Sequence, residues 1–254
     1  MSVIQSIRTI VLYIFLFFSC TQNLWAFKLN LLEATLELGK GAEATTATIL
    51  NDSTSMIAIE AVARVRVYDQ NGVENFDATA EDLIIIPSQM IIPPGSEQVL
   101  SIRWTGPRDI KKEQAYRLLI EYVSVSEDKL KGISAQEQQA GININYRIAK
   151  SFYVTPKNAK ADVVLQKAQK TTVSDMEKLQ FSFENVGNKH KIVHAFDAQF
   201  STKSNENITL SFTKENLGGS INFLAKEKRN IVVSLPEELK VHDIVSAKIL
   251  NYQE

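Results

Sequence analysis

Lys150 stands where an apolar stripe would be expected to end in another apolar residue. In "GININYRIAKSFYVTP", residues 141–156, Ile142, Ile144, Tyr146 and Ile148 alternate with Asn143, Asn145, Arg147 and Ala149. Strand side chains alternate with a period of two, so Lys150 falls on the isoleucine face. An ammonium cannot be buried there unpaired, so it must reach solvent or an anionic partner. The chemistry on offer is recognition: a stripe that fills a groove and a cation that holds an anion at its end. The simpler reading is a strand facing its own core, with the last side chain emerging into water.

Other reactive side chains converge less well. The chain has three histidines, His190, His194 and His242. A four-residue spacing suits a metal on a helix, but "KHKIVHAF" reads as the start of a strand. In a strand, His190 and His194 share a face about 13 Å apart, too far for one metal ion. They are expected to be solvated, with no metal and no cofactor. No nucleophile elbow, dinucleotide-binding glycine pattern or phosphate-binding loop occurs, and the paired glycines of "LGGS" read as a turn. No enzyme is expected.

The elements that must position these residues are strands. "MIAIEAVARVRVYD" puts Ile57, Ile59, Ala61, Ala63, Val65 and Val67 on one face, with Glu60, Arg64, Arg66 and Tyr68 mostly opposite. Asn71 and Gly72 form a hairpin-type turn dipeptide. Short strands continue through "DLIIIPSQMIIPPGSEQVLSIRW" and "QAYRLLIEYVSV", and a polar stretch at 126–140 reads as a long loop. Beyond "TPKNAKAD", further short strands recur with turns about every 10 residues, a spacing that suits β-sandwiches. The fold expected is all-β, in two sandwiches: residues 27–155 and 156–254.

Length and charge agree with this division. The 254 residues are 44% hydrophobic and 22% charged, with a formal net charge of -1. Two domains of about 100 residues each can bury separate cores. The balanced charge provides no global field for nucleic acid, and no nucleic-acid or nucleotide partner is expected. Residues 1–26 read as a signal peptide: "IVLYIFLFF" is its apolar core and cleavage is expected near Ala26. An uncleaved anchor and acylation at Cys20, the sole cysteine, are the alternatives. Cleavage would leave an exported protein without a disulfide.

Four segments, in order, resemble the periplasmic pilus assembly chaperones of the chaperone–usher pathway. "IIIPSQMIIPPGSEQVLSIRW" is similar to that family's Pro-rich turn followed by a Gln and an apolar–Arg pair, which here includes Arg103. "KKEQAYRLLIEYV" is similar to its charged–Glu–apolar strand, "NYRIAKSFYVTP" to its donor strand, and "LQFSFENVGNKHKIV" to its Asn-x-Gly-x-x-His hairpin. The resemblance implies two immunoglobulin-like domains at an angle, with a cleft between them, in the periplasm. It implies pilus (fimbrial) subunits as partners and an outer-membrane usher as recipient. It makes Ile142, Ile144, Tyr146 and Ile148 the donor side chains and Lys150 the anchor for a subunit's terminal carboxylate. The family's second anchor cation is an arginine on the first strand; Leu36 stands at the aligned position, leaving Arg103 as candidate and Lys28 as the next. A self-capping dimer would shield the free strand. The alternative is an exported structural or adhesive β-sandwich protein, such as a pilus subunit.

Overall fold

A computed structural model describes residues 28–31, 34–123 and 147–253. The signal-like segment, the 126–140 stretch, Ile142, Ile144 and Tyr146 lie outside the described residues.

The first sandwich packs two sheets face to face. One has the order β1 (Lys28–Leu31), β3 (Ala44–Leu50), β9 (Glu97–Trp104), β7 (Leu83–Ile86). The other runs β2 (Thr35–Glu37), β11 (Arg147–Thr155), β10 (Gln114–Tyr122), β4 (Ile57–Val65), β8 (Gln89–Ile92). Alternation places the core as the sequence predicts. Ile57, Ile59, Ala61 and Ala63 of β4 are buried against Ile49, Leu100, Ile102 and Trp104 of the facing sheet. Each fully buried large side chain contributes about 1.5–3 kcal/mol. A small ribbon of β5 (Val67–Tyr68) and β6 (Glu74–Asn75) follows β4. Its turn is set by Asp69, whose carboxylate accepts the backbone N–H groups of Asn71 and Val73 at 2.9 and 2.8 Å. Gly72 takes the left-handed conformation there, with φ of 83°.

The second sandwich has its own core. One sheet contains β12 (Val163–Val173), β13 (Met176–Asn185) and β18 (Lys228–Ser234). The other contains β16 (Asn207–Phe212), β15 (Ala195–Thr202) and β19 (Ile244–Gln253). A short pair, β14 (Lys191–Val193) with β17 (Ile221–Phe223), adjoins them, and a single helical turn, α1 (Glu237–Lys240), precedes β19. Phenylalanines fill this core. Phe181 meets Phe196 and Phe212 edge-on at centroid distances of 5.2 and 4.9 Å, a geometry that adds about 0.5–1.5 kcal/mol per pair beyond burial.

The Asn185–Gly187–His190 hairpin has a physical basis. Asn185 is fully buried, and its amide donates to the carbonyls of Lys189, Phe223 and Leu224. Its side-chain oxygen accepts from the Gly187 and Asp162 amides. A Cβ at residue 187 would overlap the Lys160 carbonyl and the Asp162 amide, so only glycine fits. The hairpin is thereby sewn to residues 156–162, which connect the two sandwiches.

One expectation needs correction. Val67 does not continue the buried face: β4 ends at Val65, and Val67 is 49% exposed beyond the core. Arg66 lies opposite the core face, as expected, yet it is buried, because that face meets Ser151 and Tyr153 of β11.

Candidate functional site

β11 is held unequally along its two edges. On one side it pairs antiparallel with β10 from Arg147 to Val154. On the other, only residues 153–155 are joined, in parallel, to β2. Among the described residues, positions 147–152 therefore carry an unpaired strand edge.

The inward face of β11 bears Ile148, Lys150, Phe152 and Val154. Phe152 and Val154 are fully buried, and Ile148 is half-buried against the first core. Lys150 ends the cross-strand row Ala63–Leu118–Lys150 and is exposed. Among the described residues it makes no hydrogen bond or ion pair. Its neighbour Arg147 is already engaged, 2.6 Å from Glu121.

Arg103 lies elsewhere. It stands on the outward face of β9, between Ala44 and Ile84, in the sheet opposite β11. The core separates it from Lys150, and the two share no face. Leu36 is fully buried in the first core, where an unpaired charge would be costly. Lys28 is paired with Asp52 at 3.3 Å.

The outward face of β11 bears Ser151, Tyr153 and Thr155, and each is bonded. The Ser151 hydroxyl accepts from Arg66 and Arg117 at 3.1 and 2.9 Å. Both guanidinium groups also clamp Glu74, with Arg66 Nε at 2.9 Å and Arg117 Nη2 at 2.7 Å. Burial would raise the Glu74 carboxyl, but the hydrogen bonds and charges of Arg117 and Arg66 outweigh it and hold it below its ordinary range.

The same face forms the junction between the sandwiches. Tyr153 accepts from Arg66 at 3.0 Å and from Asn222 of β17 at 2.6 Å. Glu113, buried before β10, accepts from the Thr155 hydroxyl at 2.7 Å and from the His190 backbone at 2.9 Å. Its carboxylate lies 2.6 Å from His190 Nδ1. His190 is therefore a junction residue and not a solvated one, while His194 turns away to Ser220 at 2.7 Å.

The family model for the pili and flagellar-assembly chaperone, PapD N-terminal domain, matches residues 28–160, just over half of the chain. The chain belongs to this family.

Solved chaperone structures share its fold. A chaperone–tip adhesin complex of CFA/I fimbriae biogenesis matches with a TM-score of 0.53 at 15% identity, over 84% of this chain and 91% of that one. The class 5 fimbriae chaperone CfaA matches with a TM-score of 0.53 at 13% identity, over 89% and 99%. The CsuC–CsuE pre-assembly complex of archaic chaperone–usher Csu pili from Acinetobacter baumannii matches with a TM-score of 0.53 at 12% identity, over 89% and 97%. A search of curated protein sequences finds no match.

In this assembly chaperone, alternation in the sequence placed Ile148 and Lys150 on one face of β11, as found, but did not reveal the Tyr153–His190–Glu113 junction; Ile142, Ile144 and Tyr146 lie outside the described residues. The available signal was a polar row, Arg64–Arg117–Ser151, across β4, β10 and β11. Such a row becomes visible only once strand order and register are known.

Proposed function

We propose that this chaperone is exported to the periplasm and captures incomplete pilus subunits by donor-strand complementation. The mode is established for chaperone–pilin pairs as a class: a lent strand completes a sheet that lacks one. The observation that carries the reading here is the unpaired 147–152 edge of β11, with Lys150 exposed and unengaged among the described residues.

Ile142, Ile144, Tyr146 and Ile148 enter the subunit groove in this reading. Seven residues of strand span about 20 Å. Four buried side chains contribute roughly 6–12 kcal/mol before ordering and association costs. Lys150 then meets the subunit's C-terminal carboxylate and fixes the register. An outer-membrane usher takes over the loaded complex, and pairing of two free edges in a dimer caps the strand before loading. Arg103, across the core, is not needed for the anchor.

The test is affinity for a pilus subunit with a free or an amidated C-terminus. Wild type should prefer the free carboxylate and Lys150→Ala should not. Equal binding of both subunit forms by wild type would overturn the anchor.

The reading of the chain as a pilus subunit is not favoured. Its donor-like strand lies in the interior of the sequence, inside a complete two-sandwich chaperone fold.

A further inference from the structure

The donor-like strand is coupled to the second sandwich by its outward face. At 153–154 it pairs with strands on both edges; at 147–152, among the described residues, it pairs on one. Two guanidinium groups, Arg66 and Arg117, donate to Ser151, next to Lys150, and of these Arg66 also reaches the Tyr153 hydroxyl. The same hydroxyl takes a hydrogen bond from Asn222, and the Tyr153 ring lies on His190, 3.9 Å between centroids and 8° from parallel. Both contacts come from the second sandwich. Thr155 adds a parallel tie, through Glu113 to the His190 amide.

We infer that Tyr153 is a positioning residue that makes subunit capture by β11 depend on the second sandwich. This rests on the donor-strand reading of β11. Occupying the free edge orders residues 147–152 and so tightens Ser151, Arg66 and Tyr153 against Asn222 and His190. Coupling between two sites is reciprocal: a second sandwich that holds Tyr153 presents the edge ready to pair, and a bound subunit holds the second sandwich more firmly.

The experiment uses the full-length chain and the pilus subunit that co-purifies with it. Tyr153→Phe keeps the ring stack and removes both hydroxyl bonds. Asn222→Ala removes the contact from the other side without altering the strand, and stands alone if Tyr153→Phe does not fold. The readouts are subunit affinity and hydrogen exchange at the His190 amide, which lies in the second sandwich outside the strand that pairs.

Subunit binding should slow exchange at His190 in wild type. Tyr153→Phe and Asn222→Ala should lose that slowing and bind about tenfold more weakly. Lys150→Ala should bind more weakly yet keep the slowing at saturation. Wild-type affinity together with wild-type slowing in both junction variants would overturn the inference while leaving the donor strand intact. A wild-type chain that captures no subunit at all would overturn both.

Discussion

Lys150 stands directly opposite Leu118 in the β10–β11 ladder, yet Leu118 is 2% exposed and Lys150 lies in solvent. One step across the sheet passes from core to surface. The hydrophobic interior therefore ends between these two strands at that row, while two residues further along Phe152 is again fully buried. The row ends at the edge of β11 that has no partner strand among the described residues.

The lysine should act as a specific anchor. A charge-assisted hydrogen bond contributes about 1.5–3 kcal/mol, so Lys150→Ala should weaken capture by about 10- to 100-fold. Arg103→Ala should change it by less than about twofold, since its face is remote. Titration calorimetry of both variants with one subunit separates the two roles.

The stripe and the core should respond differently to substitution. Ile144→Asp and Tyr146→Asp should abolish capture and leave the melting temperature of the free chaperone unchanged. Phe152→Ala should cost about 3–5 kcal/mol in a denaturant titration, because it opens a cavity in the first core. Unfolding of the Ile144→Asp variant would mean that the stripe is ordinary core.

Asn185 should be worth more than its size. Replacing it with alanine removes the Asn185 hydrogen bonds of the Lys189, Phe223 and Leu224 carbonyls and of the Asp162 and Gly187 amides, the Leu224 carbonyl keeping the Glu227 amide. Buried groups stripped of a hydrogen bond cost about 1–3 kcal/mol each, with partial relief from water. A loss of about 3 kcal/mol is expected, measured by chemical denaturation, with a lower melting temperature for the second sandwich.

The Glu74 cluster should make stability depend on acid. Its carboxyl is held below the ordinary range in the folded chain, so folding disfavours its protonation. The stabilisation is complete above the ordinary carboxylate value and is lost as pH falls through the lowered folded value. Wild type should therefore melt well above Glu74→Gln at about pH 6, and the gap should shrink toward about pH 3. A constant gap across thermal melts would show that Glu74 contributes only its shape.

Much of the fold was legible in the sequence because period-two alternation is a local property. Ile57, Ile59, Ala61 and Ala63 declared the core face of β4, and Asn71–Gly72 declared the turn between β5 and β6. Lys150 was legible for the same reason: a charge breaks an apolar face wherever that face points. Arg66, Tyr153 and His190 were not. An outward arginine and tyrosine look the same in sequence whether water or a second domain covers them, and their partners Glu113 and Asn222 lie far along the chain. Arg103 misled for a related reason, since an apolar–Arg pair says which way a side chain points but not which sheet holds it.

The most direct measurement is recovery of the tagged full-length chain from the periplasm after co-expression with the exported proteins encoded beside it. One small β-rich partner is expected at a one-to-one ratio, lost from Ile144→Asp and reduced in Lys150→Ala. A chain recovered alone, or a partner retained undiminished by both variants, would contradict it.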